Sequence, residues 1–229
     1  MDVVLEIGKR EIRIGTVEKL DPIIIPISYK HTGESNYLSD HSLTKDQYQS
    51  IISQLDESNQ IKLQQYNESL GTWIDIELIS PMILQKLLFD AIDSIPVNIK
   101  RCFLIDYGFS QKLKNNICTS LFKYRIKSIT FIPAPLLYTI GSNRRDALIV
   151  NKEWSTIHKV IDLRIIGEYD IDEPIDTIIL KSDIDIRKTL RENIVNTKDG
   201  VGCWTACSLY VASTKNANWQ EITKDYISQ

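Results

Sequence analysis

The sequence predicts an α/β protein in which a short antiparallel meander opens a sheet that strand–helix–strand units then extend. Three observations carry this. Apolar and polar residues alternate near the N-terminus, in Val3-Val4-Leu5-Glu6-Ile7 and again in Glu11-Ile12-Arg13-Ile14. Two apolar runs, Cys102-Phe103-Leu104-Ile105 and Ser128-Ile129-Thr130-Phe131-Ile132, flank a stretch with helical spacing. And 43% of the 229 residues are hydrophobic, an ordinary share for a globular protein with a real core.

The first two strands meet at Gly8-Lys9-Arg10, which breaks the alternation and predicts a hairpin; the second strand ends at Gly15. Ile23-Ile24-Ile25 predicts a third strand closed by Pro26, with Pro22 at its start, where a missing N–H is tolerated. Thr44-Lys45-Asp46-Gln47 has capping-box spacing, and Tyr48, Ile51, Ile52 and Leu55 follow on one face, predicting a helix over 44–57. The rest of 28–79 has no consistent period. Ser80-Pro81 supplies an N-cap and an N1 proline for a helix that turns Met82, Ile83, Leu87, Leu88 and Ile92 inward.

A strand over 102–105, a helix over 110–123 with Leu113, Ile117, Leu121 and Phe122 inward, and a strand over 128–132 come next. Their connection predicts parallel strands joined by a right-handed crossover. A short helix over 135–140 and the turn Asn143-Arg144-Arg145-Asp146 lead to a strand over 147–150 and another over 157–163. The tail predicts a helix over 184–192, a short strand over 193–195, and closing helices over 203–212 and 219–226.

A formal charge of −3 with both signs interspersed gives no field to hold nucleic acid or an anionic membrane. No apolar run approaches the roughly 20 residues that span a bilayer, and the N-terminus carries no basic, apolar leader. The expectation is a soluble protein of the cytoplasm. Cys102, Cys118, Cys203 and Cys207 read as small buried hydrophobes, and His31, His41 and His158 are scattered, so no metal ligand set is predicted. Asp183 with Asp185, and Asp170 with Asp172 and Glu173, read as helix-start carboxylates and a solvated loop, not as acid–base pairs. Trp204, Trp219 and Tyr226 read as packing residues. No nucleophile elbow, zinc-protease motif or Walker loop is present.

Four stretches resemble the actin-related protein family in order. Ser182-Asp183-Ile184-Asp185-Ile186-Arg187-Lys188-Thr189-Leu190-Arg191-Glu192-Asn193-Ile194-Val195 is similar to the actin segment that precedes the adenine-side glycine loop. Glu6-Ile7-Gly8 through Ile25-Pro26 resembles the N-terminal hairpin and its following strand. Phe103 through Leu121-Phe122 to Phe131-Ile132-Pro133-Ala134-Pro135 resembles the middle segment, and Trp204 through Tyr226 the C-terminal one. Within the family, Leu121-Phe122-Lys123-Tyr124 and Ile129 to Pro135 are nearest the divergent subgroup found at the pointed end of dynactin. The resemblance implies an actin-like (actin, Hsp70 and sugar-kinase ATPase) α/β fold, shortened: a first lobe over 1–150, a reduced second lobe over 151–202, and C-terminal helices over 203–229 packing back on the first.

The same resemblance locates the family's nucleotide site, and the residues there have changed. In the first phosphate turn Gly8 is followed by Lys9 and Arg10, where small residues let backbone approach an anion. Glu6 stands at the metal-side carboxylate. The second phosphate loop reads Asn151-Lys152-Glu153-Trp154-Ser155, without glycine, and Trp154 is expected to block it. Ala134 falls where the family's water-positioning glutamine is expected, and Asn196-Thr197-Lys198-Asp199-Gly200 replaces the adenine-side loop. No catalytic, cofactor-binding or metal residue is therefore assigned, and no cofactor is expected, with structural ATP or ADP left open.

What the resemblance implies is a non-enzymatic subunit that caps or stabilises the pointed end of the actin-like filament of dynactin and supports dynein-dependent transport. Its expected partners are the filament-forming actin-related protein and other pointed-end subunits, in the cytoplasm and cytoskeleton. An actin-related subunit of a nuclear chromatin-remodelling complex and a small ATPase of the same superfold are the rival readings.

Overall fold

The computed structural model describes residues 1–9, 11–17, 19, 21–26, 81–96, 98–197, 201–214 and 219–224. The helix expected over 44–57 lies outside them. Strands β1 (Asp2–Ile7), β2 (Glu11–Thr16) and β3 (Ile23–Pro26) form the meander, and α1 (Pro81–Asp93), β4 (Arg101–Asp106), α2 (Gln111–Lys123), β5 (Ser128–Pro133) and α3 (Ala134–Gly141) follow. A second group comprises β6 (Ala147–Asn151), β7 (Thr156–Ile161), β8 (Arg164–Asp170), α4 (Ile175–Leu180), α5 (Ile184–Glu192) and β9 (Ile194–Asn196). The chain closes with α6 (Cys203–Ser213) and the two-residue strand β10 (Ile222–Thr223). This is a mixed α/β element order with two sheets.

Six strands make the first sheet in the order β10-β5-β4-β1-β2-β3. Strand β1 is central, antiparallel to β2 and parallel to β4, as the hairpin and the crossover predict. Alternation along β1 sends Val3, Leu5 and Ile7 to one face, against Leu84, Leu87 and Leu88 of α1 and Leu113, Ile117 and Leu121 of α2. Val4 goes to the other face, with Phe103, Ile105, Leu137 of α3, and Trp204 and Cys207 of α6. Each fully buried leucine or isoleucine here contributes about 2 kcal/mol of transfer free energy. Because both faces of β1 are covered, Glu6 is buried too, at 6% exposure.

The second sheet runs β8-β7-β6-β9, with β6 parallel to β9 and antiparallel to β7. Leu148, Val150 and Ile157 pack on Ile178, Ile179 and Leu190 from α4 and α5. On the opposite face Ala147, Ile149, Val160 and Val195 meet Leu136 and Tyr138. Tyr138 also packs in the α6 cluster, so α3 is wedged between the two sheets.

Two expectations are corrected. Residues 157–163 do not form one strand: β7 stops at Ile161, Asp162 and Leu163 turn with φ of 50° and 57°, and β8 returns beside β7. Two successive positive φ values give the right-twisted reversal that a two-residue hairpin needs. Residues 219–223 are not helical. Ile222 and Thr223, both β-branched, pair antiparallel with Ile129 and Ser128 on the open edge of β5. Residues 225–229 lie outside the described region.

Candidate functional site

The turn of the β1–β2 hairpin and the turn of the β6–β7 hairpin face each other at the C-terminal ends of the two sheets. Gly8 closes the first turn by donating its N–H to the Glu11 carbonyl at 3.0 Å, so that amide is spent within the hairpin. Arg10 is not among the described residues. Lys9 reaches across, its Nζ 4.9 Å from the centre of the Trp154 indole. A cation at that distance over a tryptophan face is held by the ring quadrupole.

Trp154 is positioned from below. Asn151, 5% exposed at the end of β6, accepts the Trp154 N–H on Oδ1 at 3.2 Å. The indole then lies flat on Tyr107, with centroids 5.0 Å apart and planes at 9°, and Phe109 meets it edge-on at 5.9 Å. Both partners come from the turn after β4. Asp106 shapes that turn, since its Oδ1 accepts the Gly108 and Phe109 N–H groups, each at 3.0 Å, while Oδ2 pairs with Lys114 at 2.6 Å. Gly108 has φ of +90°, a conformation glycine adopts without a Cβ penalty.

Beneath the aromatics lies a buried polar group. The Tyr107 hydroxyl donates to Glu6 Oε1 and stands 3.5 Å from the Tyr138 hydroxyl, while Arg13 approaches Glu6 Oε2 at 3.5 Å. Burial pushes the Glu6 carboxyl above its ordinary value, against the opposing pull of the Tyr107 hydrogen bond and Arg13. Burial likewise pushes the Tyr107 hydroxyl and the Cys203 thiol well up. Glu6 and Asp106, the two buried carboxylates here, thus both have internal partners.

The structure brings Lys9 and Trp154 together across the cleft, with Asn151 holding the Trp154 turn and Glu6 beneath Tyr107. Ala134 starts α3, 1% exposed, with its carbonyl 3.9 Å from Cys203 Sγ. Asn196 ends β9, the Thr197 N–H reaches the Val150 carbonyl at 3.3 Å, and Lys198, Asp199 and Gly200 lie outside the described residues. Asp183 and Asp185 start α5, Asp170 accepts the Asp172 N–H at 3.0 Å, and Glu173 pairs with Lys181. Sequence reasoning missed Tyr107 and Phe109. Their position one and three residues past Asp106, at the end of a buried parallel strand, was the available signal.

No protein-family model and no curated protein matches the sequence. Among solved structures, the chain is similar to the human actin-related protein Arp8 in its ATP-bound state, at 14% identity over 72% of this chain and 50% of that one, with a TM-score of 0.44. The chain spans about half the length of that protein. A likeness this slight adds no argument to the geometry of the cleft.

Proposed function

We propose that the chain is a non-catalytic, actin-related subunit that works by docking on other proteins. It belongs at the pointed end of the actin-like filament of dynactin, in the cytoplasm, where it caps or stabilises that end and supports dynein-dependent transport. One observation carries the non-catalytic reading: the Trp154 indole, stacked on Tyr107 and capped by Lys9, sits between the two turns where the resemblance implies phosphate loops. A phosphate cradle needs backbone N–H groups open to the anion and a carboxylate free to order a cation's water shell. Here the Gly8 amide is spent on Glu11, and Glu6 is spent on Tyr107 and Arg13.

Termination follows from symmetry. Head-to-tail subunits propagate through two complementary faces, and a subunit that keeps one face and alters the other stops the chain. Among the described residues the second sheet has four strands, its outer strand β8 exposing Ile165 and Ile166, so that face differs from one built on a full second lobe.

Size-exclusion chromatography with the filament-forming actin-related protein of dynactin tests the docking, with co-elution and shorter filaments expected. A fluorescent ATP analogue with magnesium tests the chemistry, and saturable binding with turnover would sink the non-catalytic reading. Co-purification with the helical subunits of a chromatin remodeller, without any dynactin subunit, would move the chain to that nuclear assembly.

A further inference from the structure

The second sheet has a core of its own. On one face Leu148, Val150 and Ile157 are packed by Ile178, Ile179 and Leu190, and among the described residues that cluster takes nothing from the first sheet. The other face meets α3 through fewer apolar groups, Ala147, Ile149, Val160 and Val195 against Leu136 and Tyr138. The chain crosses between the two bodies at 142–146, where Asn143 has φ of +56°, and again between Asn196 and Cys203. A body built this way opens first at its smaller contact, because that exposes the least apolar surface.

An imidazole lies inside that smaller contact. His158 stands opposite Ile149 of β6 and Glu168 of β8 in the ladders, so it shares the face that α3 covers. Its side chain is 12% exposed, Nε2 lies 3.6 Å from Glu168 Oε2, and Nδ1 is buried with no partner among the described residues. Little around it can offset a positive charge. Glu168 is the charge that acts on it, and that carboxylate is largely in water, which screens it. Asp170, farther along β8 on the same face, stands opposite Thr156 and accepts the Asp172 N–H. Strand β6 brings Ala147, Ile149 and Asn151 to this face, and β9 brings Val195. Helix α3 carries no charged residue; its one titratable group there is the Tyr138 hydroxyl, which burial pushes up and so keeps neutral. Arg145, in the turn after α3, is paired with Asp162.

We infer that His158 is the latch of an acid-opened hinge: when its imidazole takes a proton, the second sheet separates from α3 while its α4–α5 face stays packed. A protonated imidazole donates from both nitrogens. In the closed chain the Nδ1–H is then a buried, charged donor without an acceptor, a state that water relieves once the face opens. Burial holds the imidazole below its ordinary 6.5, so the closed form prevails above about pH 6.5 and yields as pH falls below it. Opening also draws Trp154 off Tyr107, since the two rings belong to different bodies. The latch is independent of the dynactin reading.

Hydroxyl-radical footprinting of the full chain, read by mass spectrometry at about pH 7.5 and about pH 5 and normalised to the unfolded chain at each pH, tests this. Oxidation of Leu136, Tyr138 and Trp154 is expected to rise about fivefold at the lower pH, while Leu148, Ile178 and Leu190 stay protected. His158→Gln and His158→Leu cannot take the proton, and each is expected to keep the closed pattern at both pH values. Far-UV circular dichroism shows that a variant is folded, and one folded variant is enough. Equal exposure of both faces of the second sheet at low pH would make the event global unfolding and overturn the proposal. So would an unchanged parent, or a rise that persists in a folded variant.

Discussion

The indole of Trp154 lies flat against the ring of Tyr107, with centroids 5.0 Å apart and planes at 9°, and this contact joins the second sheet to the first. Trp154 belongs to the β6–β7 turn and Tyr107 to the turn that follows β4, so a single stacked pair spans the cleft. Offset stacking of two rings adds about 1 kcal/mol beyond the area it buries.

Replacing Trp154 by alanine removes that contact, the edge-on contact with Phe109 and the Lys9 cation–π contact together. Tryptophan truncation in a full core costs about 3–5 kcal/mol, and for this half-buried ring a loss of about 2 kcal/mol is expected. Urea denaturation read by circular dichroism measures it. The opened cleft is expected not to take up magnesium–ATP, because Glu6 remains bonded to Tyr107 and Arg13.

At Gly15 a substitution that ordinarily helps a strand is expected to hurt. A Cβ built there comes 2.8 Å from Cζ2 of Trp204, and Trp204 is only 2% exposed, so the ring has nowhere to go. Overpacking of this kind costs about 1–3 kcal/mol. A Gly15→Ala chain melting at or above the parent temperature would show that α6 yields to the added methyl.

His158 gives the chain an acid-side weakness. Burial lowers its value below the ordinary 6.5, Glu168 at 3.6 Å opposes this only in part, and its buried Nδ1 has no partner among the described residues. The folded chain therefore resists a proton that the unfolded chain accepts, so stability is complete above about pH 6.5 and declines as pH falls below it. Urea midpoints across that range are expected to fall for the parent and to stay flatter for His158→Gln. Parallel curves for the two chains would assign the acid sensitivity to other groups.

Arg125 follows Tyr124, the C-cap of α2, and has φ of +64°, so Arg125→Gly is expected to stabilise the isolated chain. Relief of a left-handed non-glycine residue is worth about 1–2 kcal/mol, and the added freedom of glycine in the unfolded chain takes back about 0.5–1 kcal/mol, leaving a net gain of about 0–1.5 kcal/mol. Thermal melting measures the sign directly.

Where a stretch of sequence is periodic and buried, its structure could be read from it. The inward set Leu113, Ile117, Leu121 and Phe122 of α2 is as the spacing predicts, and the structure adds Ser110 as its N-cap, with Oγ accepting the Leu113 N–H at 3.1 Å. The bulk of the β6–β7 turn was also legible, because a tryptophan there excludes close backbone approach. Strand β8 was not legible. It is an outer strand whose residues are mostly exposed, it contains Gly167 folded under the Tyr169 ring, and a bulge at Lys159 and Val160 shifts its register, so no alternation marks it.

By itself, then, the sequence determined the order and type of most buried elements and the bulky side chains in the β1–β2 and β6–β7 turns, since hydrophobic period and side-chain size are local properties. Only the tertiary structure decided that residues 219–223 extend instead of coiling, because the vacant edge of β5 supplies the hydrogen bonds that a helix would have made internally. It also decided what fills the cleft. Tyr107 and Trp154 stand 47 residues apart in the numbering, and nothing local in either segment says that the two rings stack; the packing of α3 between the sheets brings them together.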